Sequence, residues 1–361
     1  MIRRWMLVAA TGLSACGKAG SGDSVLLGAV APFGTGYGTQ IRRAVELAAD
    51  ELNRGGGIAG KRVEVVFKDD SASGARGVAV AEEFAADARI VAVIGHANSV
   101  VSVATARSYD GRLVAISPSS SSPELTGVSP WVFRTINSDS LNGVELARYA
   151  ASRGHKRAAL LYENDAFGRG LTTVFRRAFA GQVVAVDPIS ATTRDFETLV
   201  TYYRTRMKPD VVFVVGTEGS GIAFIKEARR QQLAAELVGG DGWSGIVAAG
   251  AAVDGVTLGA PFSADSPREQ AKKFVAAFKA RWNSAPDGFA ACAYDAVMLA
   301  ALAIREAGTD RRAIRDWLAD MKQPFEGATG RFQLGANGDP QGKTLVMLRT
   351  QGGQLVSGSA K

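Results

Sequence analysis

The chain has 361 residues, 47% of them hydrophobic and 21% charged. That composition excludes the disordered class, and the length suits two domains rather than one. The formal net charge of +7 is scattered, with Arg pairs at 42–43, 176–177, 229–230 and 311–312 and no basic block among aromatics, which argues against a nucleic-acid footprint.

Arg3 and Arg4 precede an apolar stretch from Trp5 to Ala15 that is too short to span a bilayer. Residues 1–15 therefore read as a signal peptide. The stretch ends in Leu13-Ser14-Ala15-Cys16, which resembles the lipobox of bacterial lipoproteins; the alternative is a chance cysteine beside a plain cleavage site. The lipobox implies lipidation at Cys16, a flexible tether over 16–23 and an extracytoplasmic protein, periplasmic or on the cell surface, that meets the membrane through its anchor alone. The one remaining cysteine, Cys292, falls in an apolar helix and is expected to pack in a core, so no intramolecular disulfide forms. That segment, Phe289 to Ile304, contains Asp295 and reads as a buried helix rather than a membrane span.

Short apolar runs then alternate with amphipathic segments. A strand at 25–30 is followed by a helix at 39–53, whose Ile41, Val45, Leu47, Ala48 and Leu52 keep near-helical spacing. Strand 63–67, a helix near 74–87, strand 90–95, a helix from about Ser99 and strand 113–117 continue the rhythm. After Trp131 to Ile136 the alternation restarts, with helices at 140–153, 166–180, 195–207 and 218–232 and strands at 158–162, 183–186, 211–215 and 236–240. Two series of β-branched strands and helices argue two doubly wound parallel α/β lobes. The last third has helices at 267–283, 289–307 and 311–321 and then short strands. The expected division is 24–136 plus 263–332 for lobe one and 137–262 plus 333–361 for lobe two.

Open α/β sheets bind ligands beyond the carboxyl ends of their strands, so the loops there carry the functional reading. The first holds Gly34, Gly36 and Gly38, a G-x-G-x-G one residue short of the dinucleotide fingerprint, with Tyr37 at the mouth. A nucleotide site and a plain glycine loop entering a helix both suit it. In "GHANSVVS", Ser99 stands at a helix N-terminus, whose unsatisfied N–H groups suit a carboxylate; simple capping by Asn98 or Ser99 is the alternative. In "SPSSSSPELT", Pro118 and Pro123 bracket a serine run and make it a poor flexible linker. Ser119 and Ser121 offer hydroxyls able to donate or accept. In lobe two, Asp241 suits a ligand ammonium, and Trp243, Phe167 and Tyr37 would supply apolar walls; helix capping by Asp241 and core packing of the two rings are the alternatives.

In this order and spacing, "APFGTGYGTQIRRAVELAADELN", "VAVIGHANS", "AISPSSSSPELT", "ENDAFGRGL", "DVVFVVGTEGSG", "AYDAVMLA" and "GATGRFQLGANGDPQGK" resemble the leucine/isoleucine/valine-binding protein family over about residues 24–350. These are type I periplasmic substrate-binding proteins of ABC importers. The resemblance implies two Rossmann-like lobes joined by three crossover strands and closing on an amino acid, branched-chain or another apolar or aromatic type. It implies a monomer without cofactor or metal, partnered by an ABC permease and its ATPase. It implies that Ser99 binds the ligand carboxylate and that Ser119 gives its carbonyl to the ammonium, while Ser121 serves both and Asp241 takes the place of the family's ammonium-binding acid. Tyr37 and Phe167 match aromatic contact positions, and Thr217 stands where an aromatic is frequent. The family's frequent cysteine pair is absent.

A sensor of the same fold, presenting its closed form to a receptor, suits the same residues, as do amide, urea or aromatic-acid ligands. An enzyme has little to build on: His96 lies in a cleft loop, but no nucleophile elbow, P-loop or metal-spaced His/Cys set accompanies it, and His155 reads as a surface turn.

Overall fold

A computed structural model describes residues 24–358; the signal peptide and Cys16 lie outside them. The chain opens with β1 (Ser24–Ala31), α1 (Gly36–Arg54), β2 (Arg62–Asp69), α2 (Gly74–Ala86), β3 (Ile90–Ile94), α3 (Ser99–Tyr109), β4 (Val114–Ser117) and β5 (Val132–Arg134). These strands form one all-parallel sheet in the order β2-β1-β3-β4-β5. A second series follows: α4 (Asp139–Ser152), β6 (Arg157–Glu163), α5 (Ala166–Ala178), β7 (Gln182–Ile189), α6 (Glu197–Tyr202), β8 (Val211–Val215), α7 (Glu218–Arg230), β9 (Glu236–Gly239) and β10 (Thr257–Ala260). The chain then returns to the first lobe with α8 (Glu269–Trp282), α9 (Gly288–Ala307), α10 (Arg311–Ala319), β11 (Phe325–Gly327), β12 (Gly330–Leu334) and β13 (Pro340–Gln341). It ends as β14 (Val346–Gln351) and β15 (Gln354–Ser357), which complete the second sheet in the order β15-β14-β10-β9-β8-β6-β7. Three passages thus join two doubly wound lobes.

The strands form where the sequence is β-branched and buried on both faces. Val211, Val212, Phe213, Val214 and Val215 of β8 have no exposed surface, and each such side chain contributes about 1.5–3 kcal/mol of transfer free energy. Helix α9 is long and apolar enough to cross a membrane by composition alone. Its Ala290, Cys292, Ala293, Ala296, Val297 and Ala300 are fully buried in the lobe-one core, where its residues pack with those of α1. Burial pushes the Cys292 thiol up to about 12, in keeping with a packing role.

Several elements depart from the sequence reading. The predicted helix at 195–207 is a one-turn α6 that widens into a π-turn over Tyr203–Met207. Strands β10 and β15 are four residues each and give too short a pattern to stand out. The glycine loop also has a plain structural cause. A Cβ on Gly38 would lie 2.0 Å from the Pro32 carbonyl oxygen, so α1 can pack on the end of β1 only with glycine there. Thr35 caps this helix, accepting from the Gly38 amide at 3.0 Å.

The lobes touch across the cleft. Ser122 Oγ donates to the Ala166 carbonyl at the start of α5, at 2.9 Å, and Pro123 packs where Gly170 has no side chain.

Candidate functional site

The carboxyl ends of β1, β3 and β4 in lobe one face those of β6, β8 and β9 in lobe two. Between them lies a small cavity, about 50 Å³ for the centre of a water-sized sphere. It is lined by Tyr37, Ala97, Asn98, Ser99 and Ser119 with Phe289 from lobe one, and by Asp165, Phe167, Thr217, Asp241 and Gly242 from lobe two.

One end of the cavity is built for an anion. Ser99 is the first residue of α3, and the N-cap Asn98 makes no side-chain cap, because its Oδ1, the capping atom, instead accepts from the Tyr37 hydroxyl at 3.1 Å. The opening N–H groups of α3 therefore keep their partial positive charge toward the cavity. Ser99 Oγ accepts from the Ser122 amide at 3.2 Å, which leaves its own proton to donate. Capping by Asn98, the plainer sequence alternative, does not occur.

The serine run is a rigid loop. Ser117 Oγ donates to the His96 carbonyl at 2.6 Å, Ser119 Oγ to the Ala97 carbonyl at 2.9 Å, and Ser120 Oγ meets Ser102 Oγ at 2.6 Å. Beneath it lies Arg134, only 1% exposed, which donates to the carbonyls of Ser120 and Ser122 at 3.0 and 2.8 Å and to Asp339 at 2.8 Å. Ser119 lines the cavity with its hydroxyl engaged. Ser121 is fully buried and stands behind the lining: its Oγ donates to Asp139 Oδ2 at 3.0 Å and its carbonyl accepts from the Asp139 amide at 2.8 Å. Its proton is therefore committed, and toward the cavity it can only accept. That narrows the dual role expected of Ser121 to the ammonium side.

Opposite sits Asp241, in a 3₁₀ turn over Asp241–Trp243. It is 3% exposed, and neither carboxylate oxygen has a hydrogen-bond partner. Burial pushes its pKa up to about 7, opposed by the nearby Ser121 hydroxyl, the Gly242 amide and the Arg134 charge. Ser121 and Gly242 lie close enough to act on it without reaching hydrogen-bond geometry. Asp139, also fully buried, is raised by desolvation and by the charge of Asp241, and lowered by Asn142 and Ser121. Two acids thus stand one behind the other at this end, with one guanidinium below.

Phe167 and Tyr37 line the cavity, and so does Thr217, with its hydroxyl and amide both given to Glu163 Oε1, at 2.8 and 2.9 Å. Trp243 is a correction. Its ring has no exposed surface and belongs to the lobe-two core, inserted where Gly221 and Gly239 leave room, and it is no part of the cavity wall. Phe289 supplies the missing ring, in an edge-on pair with Tyr37 at 6.1 Å. Sequence reading missed it because it heads an apolar helix. Asp139 and Asp165 were hidden similarly as helix starts; Asp165 does cap α5, accepting from the Gly168 amide at 2.8 Å. His96, the conceivable general base, is sealed beneath the site between Asp70 at 2.8 Å and the Tyr109 hydroxyl at 3.0 Å.

Known proteins share this architecture. The chain is 28% identical to the Leu/Ile/Val-binding protein BraC3 of Rhizobium johnstonii, covering 92% of this chain and 93% of that protein. The branched-chain amino acid transporter substrate-binding protein LivJ of Streptococcus pneumoniae, solved in complex with isoleucine, superposes with a TM-score of 0.86 at 28% identity, covering 92% of this chain and 98% of LivJ. A solute-binding protein of an ABC transporter from R. palustris, in complex with benzoate, shares the fold with a TM-score of 0.84 at 23% identity, covering 92% and 95%. The family model for periplasmic binding proteins matches residues 25–354. Two doubly wound lobes, three passages between them and a cavity lined from both sides are what that match predicts, and the chain belongs to the periplasmic binding protein family, the extracytoplasmic solute-binding components of ABC transporters.

Proposed function

We propose that this protein captures an amino acid between its lobes and delivers it to an ABC importer. The observation that carries this reading is Asp241, a buried carboxylate with both oxygens unpartnered, facing the uncapped N-terminus of α3 across one cavity. A zwitterion completes both ends at once. Its carboxylate takes the α3 amides and the Ser99 hydroxyl; its ammonium takes Asp241 and the Ser119 carbonyl, with the Ser121 hydroxyl beside Asp241 supporting that end from behind the lining. Tyr37, Phe167, Phe289 and Thr217 enclose the side chain, which favours an apolar one. BraC3 and LivJ, by name, act on branched-chain amino acids. Calorimetric titration with the common amino acids and with benzoate tests this. Binding of a branched-chain or aromatic amino acid is expected, and benzoate, having no ammonium, should bind weakly or not at all. Benzoate binding with no amino-acid binding would overturn the proposal.

Two substitutions separate support of the Asp241 end from loop scaffolding. Ser121→Ala should weaken binding clearly more than Ser120→Ala. The Ser120 hydroxyl is spent on Ser102, His96 and Ala97, so its loss should instead lower unfolding free energy by about 1–3 kcal/mol. Equal effects on affinity would count against the role given to Ser121. Closure itself is testable at Gly170, where even a Cβ would come 2.6 Å from Pro123 Cδ. Gly170→Leu should leave each lobe folded yet reduce affinity about tenfold or more, by penalising the closed state. Tryptophan fluorescence and calorimetry together would read this.

The protein is proposed to be held at the membrane by lipid on Cys16. Incorporation of a labelled fatty acid by the full-length chain in a bacterial host, and its loss in Cys16→Ser, is the expected result.

A further inference from the structure

Beside the ligand cavity, the seam between the lobes opens into a second, larger groove of about 610 Å³. It is lined by immediate sequence neighbours of cavity residues: Gly36 beside Tyr37, Gly288 beside Phe289 and Glu218 beside Thr217. Four buried side-chain oxygens without a hydrogen-bond partner belong to residues of this groove: Gln40 Oε1, Glu218 Oε1, Ser284 Oγ and Asp287 Oδ2. Lobe one supplies three of them and lobe two supplies Glu218. Asp287 is 9% exposed; its other oxygen accepts the Ala290 amide at 2.7 Å and caps α9, so Oδ2 is left over.

The electrostatics agree. Burial first, and the negative charge of Glu218 with it, push Asp287 up to about 7; Glu218 is itself raised by burial, opposed by the nearby Gly245 amide. Three of the four atoms can only accept, and the fourth is a hydroxyl able to accept. A set of oxygen acceptors that includes two carboxylates suits a hard cation or an ammonium or guanidinium group. Lys279 also lines the groove, but it forms no ion pair among the described residues.

We propose that this seam is a cation-binding subsite bridging the lobes, with Glu218 and Asp287 as its charged ligands and Gln40 and Ser284 as its neutral ones. Occupation joins an acid of lobe two to an acid of lobe one and thereby favours closure. The cation has two sources of the same chemistry: the distal group of a basic amino acid seated in the neighbouring cavity, or a free ion such as Ca²⁺. The first source rests on the amino-acid reading above. The second does not.

The test uses the mature chain at a pH above the Asp287 value of about 7, where that carboxyl is ionised. Lysine, arginine and leucine are titrated by calorimetry, and leucine is titrated again in the presence of Ca²⁺ or Mg²⁺; each metal is also titrated alone. Tighter binding of lysine or arginine than of leucine assigns the ligand as the source. Metal binding, with tighter leucine binding in its presence, assigns the free ion. In either case Glu218→Gln and Asp287→Asn should each reduce the cation effect about tenfold while leaving metal-free leucine binding unchanged. Metal binding that these variants weaken, in a protein that binds no amino acid, would support the subsite and sink the amino-acid reading. Absence of both cation effects, or effects that persist in both variants, would overturn the subsite. A thermal stability that falls equally in Lys279→Ala and Glu218→Gln, without additivity in the double variant, would seat Lys279 there and overturn it as well.

Discussion

Asp241→Asn is expected to cost the protein ~2–5 kcal/mol of amino-acid affinity, because a buried ammonium would lose a fully buried counter-charge that has no other partner. That is roughly 30-fold to a few thousand-fold in Kd. Asparagine preserves shape, so packing loss cannot explain such a change. The same substitution should raise the melting temperature of the ligand-free protein. In the ligand-free form Asp241 is buried with neither oxygen satisfied, and the neutral amide removes that desolvation cost. Loss of binding together with a gain in stability is the signature of a residue held ready for a partner rather than for the fold.

The pH dependence follows with a definite sign. The folded-state pKa of Asp241 is raised from 3.8 to about 7. The folded, ligand-free protein therefore holds a proton that the unfolded chain releases. Its stability falls as pH rises from about 4 to about 7, and the contribution of this group is level above that. A bound ammonium favours the ionised form, so ligand binding must expel the proton below pH about 7. Affinity should then weaken as pH falls, by up to about tenfold per unit, and Asp241→Asn should flatten the profile. A wild-type affinity unchanged from pH about 8 to about 5 would refute this role of Asp241.

Arg134→Met should destabilise the protein by ~3–5 kcal/mol in urea unfolding and should also abolish tight binding. The guanidinium satisfies Ser120 O, Ser122 O, Thr126 Oγ1 and Asp339 in a site that is almost fully enclosed. Its removal strands a buried carboxylate and two carbonyls. Arg134→Lys should rescue little, since a single ammonium cannot span donors arranged as a planar fork. The loop would lose the support that sets the Ser119 carbonyl and the Ser121 oxygen, so affinity should fall although Arg134 does not line the cavity.

What could be read from the sequence divides along physical lines. Strands such as β3 and β8 were legible because burial on both faces writes a continuous apolar run. The ordered character of the serine loop was legible because two prolines restrict it and a strand end precedes it. The position of Trp243 was not legible. Whether an aromatic after "GGDG" turns toward the cleft or the core depends on Gly221, twenty-two residues upstream, and Gly239, which vacate the space it fills. Phe289 failed for the opposite reason: an apolar residue heading an apolar helix carries no local sign that the helix end opens onto a cavity. The Asp139–Ser121 bond joins the serine loop to the start of α4, which only the folded sheet brings together.

The pairing of Arg134 with Asp339 bears on when the protein becomes competent. Every residue that lines the ligand cavity lies at or before Phe289, so a polypeptide ending shortly after it would contain the whole binding surface. It would still lack the carboxylate that anchors the guanidinium under the serine loop, 205 positions away in sequence. Ribosomal products that stop short of Asp339, or mature chains clipped there, should carry all the contact groups and yet be inert toward ligand. The binding site thus depends on a carboxylate that follows, in sequence, every residue lining the cavity.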